Sequence, residues 1–443
     1  MTAPLSLLAR YRWELVAVLV LTSAACSSNT AEFPSDRDLD IWTMSLGTDL
    51  VRGTGYSRVL SHPGGDALLI GAQGETIPQE EGDGAVPRVE NWRLILARVS
   101  PENPGEDWQV TTDLQAVPYD VFVDEEGDLI GTLGFVNDGY GDQPQEFGAA
   151  KFSAAEGTLL WSTSLEGIRP QAHVTLDGDL LIAATADNEQ ADSSVLTLIS
   201  GEDGSVIWTK AADPERSFSF SAIGSDDDFF VSWDNAPRPD MWISRHSLAD
   251  GSEFWTRDVS ESGEPGEVFA ISSGAALLEV GNTEGEYRTS VKYQSYSAAE
   301  GTELFTKLPR NEHGEYPMVT SPIIGEGSFF TLSGSIFREF ANDDGSNVWS
   351  SARLFDDSSE PSFFSRDGAG VLFAFSDAEG GQRIAAATPG STSLDFNYKF
   401  KSDGIFDTTG TTSGVYLLTK KDLPSDQFYS SYYDQTLLRV VPK

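Results

Sequence analysis

The octapeptide Ala154-Ala155-Glu156-Gly157-Thr158-Leu159-Leu160-Trp161 (AAEGTLLW) decides the fold of this chain, because close copies of it return at regular intervals. Each copy is an acidic turn containing glycine, followed by an alternating apolar segment whose aromatic residue stands four positions after the glycine. Glycine adopts positive φ at little cost, so the turn predicts a tight reversal of the chain. The alternating segment predicts a β-strand.

The aromatic position of this pattern recurs with a period near 47 residues. From Trp108 to Phe396 the spacings are 53, 47, 47, 50, 44 and 47. A constant period of this length is typical of stacked supersecondary units, in which an aromatic side chain packs between neighbouring sheets. We therefore predict eight structural docking aromatics, which are Trp42, Trp108, Trp161, Trp208, Trp255, Phe305, Trp349 and Phe396.

A second series of turns lies out of phase with the first. Each turn leads directly into paired hydrophobic residues, and the eight copies begin at Gly65, Gly127, Gly178, Asp227, Gly274, Gly327, Gly370 and Gly414. Every period therefore contains two hairpins and four strands. Four strands in 40 to 50 residues are typical of one propeller blade, so the sequence predicts an all-β, single eight-bladed β-propeller.

The two ends of the repeat region predict how the propeller closes. The last period ends in a strand at 436–441 that no aromatic strand follows, and the segment 38–42 carries Trp42 with no repeat before it. Pairing the N-terminal strand with the C-terminal strands would complete blade eight and remove open sheet edges. We therefore predict one domain over residues 38–443.

These repeats resemble the tryptophan-docking repeats of PQQ-type quinoprotein propellers over residues 38–443. In the enzymes of that family a vicinal disulfide lies above the PQQ cofactor, and carboxylates hold a Ca²⁺ ion beside it. This chain has a single cysteine, Cys26, so it cannot form the disulfide. We therefore expect no cofactor.

The first 37 residues have the order of an export signal and a tether. Two arginines precede the short apolar run 15–21, and the small residues Ser23-Ala24-Ala25 precede Cys26. This order predicts a signal peptide over 1–25, and the run is too short to span a bilayer. Ser23 to Cys26 resembles a bacterial lipobox, which implies a lipidated Cys26, a tether over 26–37 and an outer-membrane-anchored lipoprotein of the cell envelope. Ordinary cleavage after Ala25 is the alternative.

The formal net charge of −40 restricts the partners of the chain. So acidic a protein repels phosphate backbones, and we expect no nucleic-acid partner. The charge favours either a cationic or basic partner or a solvated exterior that resists aggregation. We expect the chain to be a monomer whose contact with the membrane is made by the N-terminal lipid.

The loops between the second and third strands predict a binding face. They are long and acidic, and aromatic residues flank them. Scaffold-held loops concentrate binding residues, and interfaces favour tyrosine and tryptophan. The candidates for binding a protein or glycan partner are Trp92, Tyr140, Trp233, Trp242, Tyr429, Tyr432 and Tyr433.

Catalysis finds little support in the sequence. The four histidines have no zinc-site spacing, and there is no nucleophile elbow or phosphate-binding loop. His173 is expected on an innermost strand in a structural role, and the carboxylates of 138–142 match no EF-hand. We predict a non-catalytic binding platform. The alternatives are a role like that of the BamB-type propeller lipoproteins in outer-membrane protein assembly and a periplasmic PQQ-dependent oxidoreductase.

Overall fold

Eight four-stranded antiparallel sheets make up the computed structural model of this chain, and each sheet is one blade of a β-propeller. The structure describes residues 39–442 except 52–53, 78–87, 101–105, 136–145, 166, 186–193, 212–216, 226, 236–239, 260–263, 272–274, 285–286, 308–320, 334, 356–360, 379–380, 412–413 and 423–431. The prediction of an eight-bladed β-propeller is confirmed. No helix of the described part is long and apolar enough to cross a membrane.

Blades 1 to 4 follow one another along the chain, each in the order innermost to outermost strand. Their strands are β2 Gly55–Ser61, β3 Ala67–Ile77, β4 Arg88–Val99 and β5 Glu106–Thr111; β6 Ala116–Val123, β7 Leu129–Phe135, β8 Glu146–Phe152 and β9 Leu159–Leu165; β10 Ile168–Val174, β11 Leu180–Thr185, β12 Ser194–Ile199 and β13 Val206–Ala211; β14 Ser217–Ser225, β15 Asp228–Asn235, β16 Asp240–Ser247 and β17 Glu253–Asp258.

Blades 5 to 8 continue the same order, except that the outermost strand of blade 8 comes from the N-terminal end. Their strands are β18 Glu264–Ile271, β19 Ala275–Glu284, β20 Tyr287–Tyr296 and β21 Glu303–Lys307; β22 Ile323–Ile324, β23 Ser328–Ser333, β24 Ile336–Ala341 and β25 Asn347–Ser350; β26 Pro361–Arg366, β27 Leu372–Ala378, β28 Gly381–Ala387 and β29 Phe396–Phe400; β30 Gly404–Thr411, β31 Gly414–Asp422, β32 Tyr432–Pro442 and β1 Leu39–Val51.

The propeller closes through the antiparallel pairing of β1 with β32. The register places Leu39 opposite Pro442 and Trp42 opposite Arg439. The Trp42 ring lies edge-on to Tyr416 of β31, with the ring centroids 6.0 Å apart. The predicted completion of blade eight by the N-terminal strand is therefore confirmed.

The hydrophobic core lies between the blades, and the second strand of each blade contributes to both of its neighbouring interfaces. Because successive side chains of a strand point to opposite faces, adjacent hydrophobic residues reach opposite neighbours. In blade 3, Leu180 packs in one cluster with Phe147 of blade 2, and Leu181 packs in another with Phe229 of blade 4. The paired hydrophobics of the second turn series thus follow from burial on both faces.

Candidate functional site

The docking aromatics fix each blade against the next. A Cβ on Gly157 would lie 2.7 Å from Cζ3 of Trp108, so only glycine leaves room for the ring of the preceding blade. Trp108 also donates from Nε1 to the carbonyl oxygen of Ala154 over 3.2 Å. Gly157 has a φ of 68°, which other L-residues rarely adopt. The acidic turn and the aromatic therefore form one contact between two repeats.

Four other tryptophans make the same indole hydrogen bond to the turn of the following blade. The donor–acceptor pairs are Trp161 to Gly201 at 3.1 Å, Trp208 to Leu248 at 2.7 Å, Trp255 to Ala298 at 2.6 Å and Trp349 to Ser391 at 2.8 Å. Phe305 lies against Gly345 in the same way without a hydrogen bond. Phe396 is buried among residues of blades 7 and 8.

A β-bulge stands directly before the docking aromatic in blades 2 to 6. In blade 2, Lys151 pairs with Trp161 and Phe152 pairs with Leu159, so Leu160 is the extra residue. The same shift occurs in the next four blades. The five extra residues are apolar and exposed; they are Leu160 (51%), Ile207 (47%), Phe254 (53%), Leu304 (47%) and Val348 (58%). We call this set the rim arc.

Acidic turns alternate with the residues of the rim arc around the propeller. The docking aromatics of blades 2 to 6 contact the turn of the next blade, so each arc residue is one residue away from that contact. The exposed carboxylates on these turns are Glu202 and Asp203, Asp250, Glu300, and Asp343 and Asp344. Hydrogen bonds from Ser205 lower the pKa of Asp203. The rim therefore combines exposed apolar side chains with fixed negative charge.

A cavity of about 700 Å³ lies on the propeller axis, lined by the innermost strands of blades 2 to 6. Its wall runs along these strands and includes residues of the first turn in blades 2 and 3. The cavity therefore opens on the face that carries the tight turns. The binding face predicted from the sequence is the opposite one, and its long loops fall largely outside the described residues.

The cavity wall is acidic and aromatic. Glu125 of blade 2 is exposed at its edge, and Glu267 of blade 5 is half-buried. Phe122 and Phe269 contribute aromatic rings to the same wall. No lysine or arginine is among the described residues that line it.

His173 of β10 also lines the cavity. Burial lowers its pKa to about 4, and a hydrogen bond to the backbone of Ser221 offsets this only in part. The imidazole is therefore neutral at pH 7. Its Nε2 is buried and has no hydrogen-bond partner, while its ring lies 6.3 Å from that of Phe122. Ser221 Oγ is a second buried polar atom without a partner on the same wall.

Polar side chains elsewhere on the innermost strands join neighbouring blades. Asp120 accepts a hydrogen bond from the backbone nitrogen of Ala172 at 3.0 Å, and Asp407 accepts one from Val59 at 2.9 Å. Burial raises the pKa of both carboxyl groups, and the positive charge of Arg58 between them opposes that shift. These contacts span the inter-blade gap and are structural.

Ser244 and His246 have the spacing of a nucleophile and its base, because Oγ and Nε2 lie 2.7 Å apart. Ser244 is fully buried, however, and its Oγ also accepts a hydrogen bond from Nε1 of Trp233 at 2.6 Å. A nucleophile must reach its substrate. This chain of three side chains therefore holds the interior of blade 4 together and offers no catalytic centre.

Two of the predicted surface aromatics are buried, which corrects the sequence analysis. Trp233 is only 3% exposed, because β15 and β16 extend past it and enclose it within the blade. Tyr433 is 6% exposed, since β32 begins before it; its ring packs on Phe406 and its hydroxyl donates to the carbonyl oxygen of Thr54. Burial also raises the pKa of Tyr433 to about 12.

The remaining surface candidates divide into two groups. Trp92 and Trp242 are half-buried in the first halves of strands β4 and β16. Tyr140, Tyr429, Cys26 and the rest of 1–37 lie outside the described residues, as do the carboxylates of 138–142. Tyr432 is described only by its backbone, which begins β32.

The PQQ cofactor of the quinoprotein enzymes does not fit the axial cavity. PQQ carries three carboxyl groups, and a carboxylate needs cationic or hydrogen-bond donors around it. The described wall offers the carboxylates of Asp124, Glu125 and Glu267 and no lysine or arginine, and its hydrogen-bond donors are neutral side chains such as Thr175 and Ser221. In the described part of the chain, no three histidine, cysteine, aspartate or glutamate side chains stand close enough together to hold a metal ion.

Comparisons with known proteins identify the fold. No protein-family model matches the chain, and no curated protein matches it. The Dos1 propeller is similar in structure, with a TM-score of 0.53, 10% identity, and coverage of 91% of this chain and 96% of that one. The quinohemoprotein alcohol dehydrogenase of Comamonas testosteroni has a TM-score of 0.49 at 10% identity, covering 90% of this chain and 76% of that one. At these identities the likeness shows the fold alone.

Proposed function

We propose that this chain is a non-catalytic protein-binding platform, exported to the bacterial cell envelope and anchored there by a lipid on Cys26. The rim arc is the observation that supports binding. Single exposed hydrophobic residues are ordinary, but an apolar residue exposed at the same position of five consecutive blades is a candidate interaction surface. Strand propensity explains apolar residues within strands. It does not explain why five consecutive blades expose one at the same bulge.

The chemistry of the rim favours a basic protein segment as the partner. Aliphatic side chains bind other apolar side chains, and the acidic turns between them attract lysine and arginine. Nucleic acid and anionic lipid headgroups would be repelled by the same turns. Glycan sites rely on flat aromatic rings, whereas four of the five arc residues are aliphatic.

The test replaces the three central arc residues with aspartate, giving Ile207→Asp/Phe254→Asp/Leu304→Asp. Blade 1 already carries Asp107 at the equivalent bulge, so the fold accepts an acid there. We expect an unchanged melting temperature and, in crosslinking pull-downs from envelope extracts, at least about a tenfold loss of the captured proteins, which corresponds to 1.4 kcal/mol.

The matched control is Trp92→Ala, which alters the long-loop face and leaves the arc intact. If the aspartate variant retains the captured proteins and the control loses them, binding through the rim arc is refuted and the long loops are the binding face. Glycan capture in place of protein would also contradict the proposal. Enrichment of an outer-membrane barrel protein would favour the narrower assembly role suggested by the resemblance to BamB-type lipoproteins.

The anchor has its own test. The variant Cys26→Ser should move the protein from the membrane fraction to the soluble fraction, because acylation requires the cysteine sulfur. A wild-type protein that is already soluble and begins after Ala25 would establish ordinary signal cleavage instead.

A further inference from the structure

We infer that the axial cavity binds a small organic cation of the diamine or polyamine class. The cavity of about 700 Å³ is large enough for such a ligand. Its wall combines the carboxylates of Asp124, Glu125 and Glu267, two aromatic rings and the imidazole of His173, whose Nε2 is buried without a partner. Each of these groups favours a ligand with ammonium groups and N–H donors.

The carboxylates on the wall favour a ligand with more than one cationic group. Glu125 and Glu267 belong to blades 2 and 5, which are three blades apart around the axis, so the two carboxylates approach the cavity from different sides. A ligand with two separated ammonium groups can contact both at once. Among the described residues of the wall no lysine or arginine competes for them, whereas the third carboxylate of the wall, that of Asp124, pairs with Lys151 at 2.7 Å.

The uncharged groups of the wall support the same ligand. Phe122 and Phe269 present rings to the cavity, and a ring face attracts an ammonium group or the carbon chain beside it. His173 Nε2 is a buried hydrogen-bonding position without a partner. Buried polar atoms are normally satisfied, and Nε2 can accept a hydrogen bond from the N–H of a bound amine.

Calorimetric titration with spermidine at 150 mM salt tests the inference, since this ionic strength screens loose counter-ion binding. We expect saturable binding of one spermidine per chain. The variant Glu125→Gln/Glu267→Gln should lower the affinity at least about tenfold. His173→Leu should also weaken binding while the melting temperature at pH 7.5 is retained.

The matched control is Glu156→Gln/Glu202→Gln, which removes the same charge from exposed turns outside the cavity. It should change the affinity less than twofold. Equal losses in both pairs would show that spermidine is only a diffuse counter-ion, and tighter binding of citrate than of spermidine would reverse the charge assignment. If the cavity pair melts early, Glu125→Gln alone, at an exposed position, should still weaken binding about threefold.

Discussion

A glycine in the acidic turn reports directly on how strongly neighbouring blades are docked. The variant Gly157→Ala places a Cβ 2.7 Å from Trp108, at a residue whose φ is 68°. An alanine at positive φ costs about 1–2 kcal/mol, and forcing a methyl group into a packed contact costs about 1–3 kcal/mol more. We expect a total destabilisation of about 3 kcal/mol.

Gly178 provides the matched control. It also has a positive φ, 81°, but a Cβ there would meet nothing within 4 Å. The variant Gly178→Ala should therefore cost only the backbone part, about 1–2 kcal/mol. The difference between the two glycine variants isolates the contact with the Trp108 ring.

Removal of the Trp108 ring completes a double-mutant cycle with Gly157→Ala. Trp108→Ala should cost about 3–4 kcal/mol, including the indole hydrogen bond to Ala154. In that background Gly157→Ala should cost no more than Gly178→Ala does in the wild type. With an unfolding entropy of about 0.8 kcal/mol/K for about 400 residues, each kcal/mol lowers the melting temperature by about 1.2 °C.

Circular dichroism melts and urea unfolding measure all four variants without relying on tryptophan fluorescence. Strict additivity of Trp108→Ala and Gly157→Ala would refute the reasoning, because it would mean that the ring and the turn do not share a contact. Equal destabilisation by Gly157→Ala and Gly178→Ala would refute it as well.

Four further variants test the closure, the buried tryptophan and the histidine of the cavity wall. Deletion of Leu39–Val51 should lower the free energy of unfolding by several kcal/mol and leave the edge of β32 open to aggregation. Thermal melting and light scattering measure the two effects, and an unchanged melting temperature would contradict the shared blade. Trp233→Ala should destabilise the fold by about 3–5 kcal/mol, whereas Trp242→Ala, at a half-buried site, should cost less in the same melts. The pKa of His173 is about 4 in the native state, below its unfolded value of 6.5. Its contribution to the free energy of unfolding is therefore complete above pH 6.5 and is lost as the pH falls towards 4, by up to about 3 kcal/mol. His173→Asn should flatten that part of the stability–pH profile; an unaltered slope would exclude the buried histidine as its source.

The sequence contained the architecture because the architecture repeats. Trp161 and its copies recur at one position relative to the glycine turn, so the residues of one local contact occur many times in the sequence. The closing strand could be predicted for the same reason, since Trp42 is a docking aromatic that no repeat precedes. Repetition turns weak local signals into a strong global one.

The errors lie where strand length, rather than repeat position, decides burial. Trp233 and Trp242 stand opposite each other in the ladder of β15 and β16. A tryptophan near a strand end looks the same in sequence whether the strand stops before it or continues past it. Cross-strand neighbours settle the question, and these become known only when the sheet is assembled.

The rim arc and the axial cavity escaped sequence analysis for two different reasons. Alternation places Leu160 on the face opposite Trp161, where the neighbouring blade would cover it; the bulge changes that placement, and no residue of the octapeptide marks a bulge. The cavity unites residues from 122 to 324, so no local pattern contains it. Docking between neighbouring blades fixes the backbone at the bulges and along the innermost strands, but it does not specify the side chains there. Selection for binding could therefore act on the bulge residues and the innermost strands while the docking contacts stayed the same.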